Sequence, residues 1–75
     1  MKIFPNPAND KITIVNSYGQ PFIIKIYDLG GKVVKVMNLA SDKIQINVQD
    51  LSTGVYIIEL SSEKKNMQEK LIIHR

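Results

Sequence analysis

Seventy-five residues, 44% hydrophobic and 23% charged, leave room for one small core and none for a deep substrate cavity beside it. Cysteine is absent, which excludes disulfides, thiolate nucleophiles and cysteine-held metals and leaves the redox compartment open; the formal net charge of +3 comes from lysines interspersed with acids rather than from a basic stripe. A mean hydropathy of -0.07 is that of a folding chain and not of a disordered tail, no run nears the ~18 apolar residues of a membrane span, and the amino end lacks the charged and apolar regions of a signal peptide, so no membrane insertion is expected.

A first short strand is expected over residues 2–4, ended by Phe4-Pro5-Asn6-Pro7. Each proline fixes its own φ near about -65° and pushes the residue before it toward extended backbone, so the segment reads as a stiff elbow that stops the pairing of the first strand. Asn6 or Asn9 is then free to bond nearby backbone, or to serve recognition directly. Residues 11–15 alternate, with Ile12 and Ile14 on one face and Thr13 and Val15 on the other. Asn16-Ser17-Tyr18-Gly19-Gln20-Pro21 is a connection. Residues 22–27 set Phe22, Ile24 and Ile26 against Ile23, Lys25 and Tyr27, the pattern of a half-buried strand. Tyr27-Asp28-Leu29-Gly30-Gly31-Lys32 supplies a side-chain acceptor and two glycines able to take positive φ, and predicts a hairpin.

Residues 33–37 form the next strand, and Ser41-Asp42 is a polar corner that returns the chain into residues 44–49. There Ile44, Ile46 and Val48 face the core while Gln45, Asn47 and Gln49 face water. Residues 50–54 have no room for a helix of more than a turn and are expected to cross from one sheet to the other. Residues 55–60 are the most apolar segment and predict a central strand, with Tyr56, Ile58 and Leu60 inward and Val55, Ile57 and Glu59 on the wetter face. Gly54 before it reads either as a receptor-facing turn or as an unusual backbone angle that sets up the strand. Tyr56 reads as core with a hydroxyl that reaches a partner at the rim. After a connection from Ser61 to Asn66, with Lys64 and Lys65 at its tip, residues 67–73 form the last strand. Met67, Leu71 and Ile73 point inward; Glu69 falls in the same phase, a conflict that a bulge or an edge position relieves. Seven short strands predict an all-β fold, an immunoglobulin-like antiparallel β-sandwich, as a single domain over residues 1–75.

Nothing in this chain is arranged for catalysis. His74 is the only histidine and lacks the companions of a zinc site. Asp10, Asp28, Asp42 and Asp50 sit beside turns, where Asp accepts local backbone hydrogen bonds, and their spacing is not that of a calcium loop, although a weak calcium site from two such loops is conceivable. Gly30-Gly31 lacks the flanking pattern of a phosphate cradle, and no base accompanies the serines and threonines. No catalytic residue, metal or cofactor is expected, and no nucleic acid, whose groove would need converging basic residues beside exposed rings.

The order of the signals resembles the type A C-terminal sorting domain of the type IX secretion system of Bacteroidetes. Phe4-Pro5-Asn6-Pro7-Ala8-Asn9-Asp10-Lys11 is similar to that family's aromatic-Pro-Asn-Pro opening, and Ile26-Tyr27-Asp28-Leu29-Gly30-Gly31-Lys32-Val33-Val34 to its central hairpin. Leu51-Ser52-Thr53-Gly54-Val55-Tyr56-Ile57-Ile58 is similar to its Leu-Ser-x-Gly-Val-Tyr stretch, and Lys70-Leu71-Ile72-Ile73 to its closing strand. The resemblance implies a non-catalytic sorting signal for a covalently fused N-terminal cargo, recognised by the type IX translocon and an outer-membrane shuttle protein. It implies transit through the periplasm to the cell surface or beyond, often with removal by a surface sortase that attaches the cargo to a glycolipid. Arg75 as last residue fits a natural C-terminus, and the linker and cleavage site of such proteins would precede Lys2. Candidate recognition residues are Pro5, Asn6, Pro7, Gly54, Tyr56, Lys70, Leu71, Ile72, Ile73 and Arg75. In this reading the terminal strand offers unpaired backbone groups to a receptor, with Lys70, His74 and Arg75 steering the contact; the plainer reading is that Leu71 and Ile73 simply close a sheet. An accessory adhesion or carbohydrate-binding sandwich is the alternative, with Tyr18 and Tyr27 as its aromatic platform, and a structural spacer is a third.

Overall fold

The computed structural model describes residues 2–16 and 21–74 and contains seven strands and no helix among them. They are β1 (Lys2–Phe4), β2 (Lys11–Val15), β3 (Phe22–Asp28), β4 (Val33–Leu39), β5 (Lys43–Asn47), β6 (Gly54–Ser61) and β7 (Asn66–Ile73). Runs of Ile and Val at every second position write these strands, because branched side chains pack well on a pleated, half-buried surface. A three-stranded sheet in the order β1-β2-β5 faces a four-stranded sheet in the order β4-β3-β6-β7, and every strand pair is antiparallel. This is the expected β-sandwich. The chain changes sheets after β2, β4 and β5, and residues 50–54 make the last of these crossings as their length predicts.

Alternation decides which side chains fill the space between the sheets. Ile12 and Ile14 of β2, Phe22, Ile24 and Ile26 of β3, Tyr56, Ile58 and Leu60 of β6 and Leu71 and Ile73 of β7 are all buried. Ile46, Val48, Leu39 and Leu51 complete the packing, with Val34 and Met37 at its margin. Each fully buried Ile or Leu contributes about 1.5–3 kcal/mol relative to an exposed one, and it is this term that offsets the chain entropy of so small a fold.

The hairpin between β3 and β4 forms for the expected reason, with one change of detail. Asp28 Oδ1 accepts from the backbone N–H groups of Gly30 and Lys32, each at 2.9 Å, and the turn closes with Gly31 N donating to Asp28 O at 3.0 Å. Only Gly31, at φ 88°, takes the left-handed angle; Gly30 does not. A register shift between Ile26 and Tyr27 sets Lys35 opposite Ile26 and Val33 opposite Tyr27, so the bulge lies here and not in the last strand.

The last strand instead relieves its misplaced acid by its position. Glu69 stands opposite buried Ile58 in the ladder, and so on the inward phase, yet it is exposed because β7 is the outermost strand of its sheet. The other outermost strand, β4, carries an inward-phase lysine: Lys35 stands opposite buried Ile26, and its Nζ reaches Asp50 Oδ1 at 2.9 Å. Inward-pointing charges on edge strands are one way in which sheets discourage edge-to-edge pairing.

Candidate functional site

Three patches taken from the family-like segments, residues 4–7, 51–56 and 70–73, some 50 and 20 residues apart along the chain, meet at one corner of the sandwich. The corner is built on the C-terminal half of β7. In the β6–β7 ladder Gly54 stands opposite Ile73, Val55 opposite Ile72 and Tyr56 opposite Leu71, which brings the second patch against the third. On the other side of β7 lies the first patch. Ala8 forms a parallel bridge with Ile73, its N–H donating to Ile72 O at 2.8 Å and its carbonyl accepting from His74 N at 2.9 Å. One step earlier, the Asn6 amide makes both halves of a peptide-like pair: Nδ2 donates to Lys70 O at 3.0 Å, and Oδ1 accepts from Ile72 N at 3.0 Å.

The proline elbow ends the pairing of β1 with β2 at Phe4, as expected, and the strap that follows reaches the edge of β7 in the other sheet through Asn6 and Ala8. Pro5 and Pro7 have no N–H to donate, so the donors of this strap are the Asn6 side chain and the Ala8 backbone. The expectation of an unpaired terminal edge is corrected: in residues 70–74, Lys70 O, Ile72 N, Ile72 O and His74 N are all taken. Asn6, rather than Asn9, makes the backbone contacts, and they span 64 and 66 residues instead of lying nearby. No local sequence signal specified that partner; the proline on each side of Asn6 marked only that its side chain, not its neighbours, would have to donate.

Gly54 is also corrected. Its φ is not positive, and a Cβ added there would meet Tyr56 Cε1 at 3.9 Å and Ser52 O at 4.0 Å, ordinary contacts. The feature that shapes this turn is the tyrosine. Tyr56 is buried, and its hydroxyl donates to Ser52 O at 2.7 Å with Ser52 Oγ at 3.3 Å, tying the start of β6 back to the crossing segment. Such a tyrosine corner is a hallmark of immunoglobulin-like sandwiches. Leu71 and Ile73 are fully buried, Ile72 is partly buried, and Pro5, Asn6, Pro7 and Lys70 are exposed. Arg75 and Tyr18 lie outside the described residues.

A second polar constellation sits on the outer face of the four-stranded sheet. Glu59 accepts from Tyr27 Oη at 3.0 Å, from Asn66 Nδ2 at 3.2 Å and from Gln68 Nε2 at 3.1 Å, and stands opposite Lys25. These bonds to the charged form, chiefly that of Gln68, hold the Glu59 carboxyl below its ordinary range, and the same carboxylate raises the Tyr27 hydroxyl. Among the described residues no three His, Asp or Glu side chains gather as a metal site would require.

Comparison with known proteins decides what the corner belongs to. Residues 2–74 match the secretion system C-terminal sorting domain. The chain belongs to this family. It is 34% identical over 74 residues to an endo-acting ulvan lyase of Formosa agariphila, a match that covers 97% of this chain and 14% of that protein. It is 33% identical over 67 residues to beta-agarase A of Zobellia galactanivorans, covering 87% of this chain and 12% of that protein. The sorting domain thus spans only about a seventh of the lyase and an eighth of the agarase. It is a type IX C-terminal sorting signal for a fused cargo, directing export to the cell surface or the extracellular space. The family is one of sorting signals rather than catalysts, and the enzyme names of the two relatives describe whole proteins of which such a domain is a small part.

Proposed function

We propose that the sorting signal is read at the corner where the strap, the tyrosine turn and β7 meet, by the type IX translocon and an outer-membrane shuttle protein. The observation that carries this reading is the convergence of three separate patches on residues 70–73 through Asn6, Ala8 and Gly54. Within it the residues divide by burial. Leu71, Ile73 and Tyr56 hold the corner in shape from inside, whereas Pro5, Asn6, Pro7, Lys70 and Ile72 form the surface a receptor would touch. Gly54 sits at its lower end without a conformational demand of its own. Residues 1–75 act as a single domain without catalysis. It passes through the periplasm attached to its cargo, and a surface sortase then removes it.

The test is a reporter carrying residues 1–75 at its C-terminus and an ordinary periplasmic signal at its N-terminus, in matched hosts with and without a working type IX system. Appearance outside the outer membrane only in the competent host is the expected result, and loss of export on deletion of residues 70–75 assigns it to the corner. Retention of the folded reporter in the periplasm of both hosts would sink the reading.

A further inference from the structure

We propose that residues 5–8 form a removable cap on β7, displaced when an extended strand of the export machinery adds to that edge from Gln68 to His74. The proposal rests on the sorting-signal reading above and says how the edge is engaged.

The backbone geometry supplies the interface. In an antiparallel ladder alternate residues turn both N–H and C=O away from the neighbouring strand. The groups held by the strap belong to Lys70, Ile72 and His74, so the outward positions of β7 are the even-numbered ones, and Asn66 and Gln68 continue the row. No strand lies beside that N-terminal half among the described residues. The edge is therefore one continuous row, half capped and half open.

The cap is built to be exchanged. Its one buried side chain is Ala8, the smallest apolar anchor available, while Pro5, Asn6 and Pro7 are exposed. The Asn6 side chain presents one carbonyl and one amide to Lys70 and Ile72, the same inventory as a peptide group. An incoming strand can replace it bond for bond and leave no orphaned donor or acceptor on β7. It then gains the further pairs at Gln68 that the strap does not reach, so the exchange is downhill in hydrogen bonds. The strap is also joined directly to β1, three residues long and paired only with β2. The cargo side of the chain and the terminal strand are thereby connected through one short peelable segment.

Two readouts test this. Asn6→Ala removes the acceptor of the Ile72 amide, and hydrogen exchange at Ile72 should accelerate by about tenfold or more while the Ile58 amide is unchanged, as expected for local opening. Equal acceleration at Ile58 would mean that the cap cannot leave without unfolding the sandwich and would overturn the proposal. Gln68→Pro deletes an outward-facing N–H that β6 does not use, and should cut export about tenfold with the fold intact by circular dichroism. Gln68→Ala, which keeps that N–H and loses only the side-chain bond to Glu59, should export normally. Wild-type export by Gln68→Pro overturns strand addition while leaving the sorting signal standing. Failure of the wild-type reporter itself sinks both.

Discussion

Along β7 the C-terminal half of the edge is covered by the chain's own strap, whereas β4, at the opposite edge of the same sheet, is left beside solvent with Val33 and Val36 exposed and Lys35 tied to Asp50. Both edges meet the same hazard, a row of backbone groups open to any passing strand. β4 answers it with a charge, and β7 answers it with a fragment of backbone mimicry. An inward-pointing charge makes the addition of any strand costly, while a cap can be exchanged for the right one. The comparison therefore separates an edge guarded only by a charge from one covered by the chain's own backbone.

The comparison breaks first at the core. Leu71→Ala on the capped edge should cost about 2–5 kcal/mol in denaturant unfolding, as fully buried Leu does, and Met37→Ala on β4, at the margin of the core, should cost clearly less. Equal losses would mean that the two edges support the sandwich alike. The glycines come next. Gly31→Ala, at φ 88° in the hairpin that launches β4, should cost about 1–2 kcal/mol, while Gly54→Ala beside β7 should stay within about 0.5 kcal/mol.

Tyr56→Phe removes the bond to Ser52 O and should lower stability by about 1 kcal/mol, read as a shift in the unfolding midpoint with an unchanged slope. Lys35→Ala, on the charge-guarded edge, should cost only about 0.2–1 kcal/mol, less still at high salt, because Asp50 is well exposed. The smallest effect is that of acid on Glu59. Its carboxyl is held low in the folded state, so its contribution is present above the unfolded-state value and is lost as pH falls through the folded one. Glu59→Gln should therefore flatten the acid limb of the stability profile slightly, and an unchanged limb would show that the contacts of Tyr27, Asn66 and Gln68 are without net effect.

How much of this was legible in the chain depends on the range of the interaction. Phe22, Ile24 and Ile26, or Tyr56, Ile58 and Leu60, announce their face by spacing alone, because the strand period of two leaves no other way to bury them together. The Asp28 turn is equally local. The conflict at Glu69 was visible as a conflict, and an edge position was among its predicted remedies. Strand ends drifted: the segment expected over residues 33–37 runs to Leu39, since pairing with Phe22 extends it. Gly54 misled because a glycine before a strand suggests a special angle, and the tie that shapes the turn is instead made by the Tyr56 hydroxyl.

The sequence by itself determined the class of the fold, the number of strands, the inward faces and the family, all of which rest on neighbours within a few residues or on motifs in order. Only the tertiary structure decided that Asn6 and Ala8 would pair with residues 70–74. A hydrogen bond across more than 60 residues leaves no periodicity in the chain, and exists only once two sheets have packed and carried its partners to the same edge.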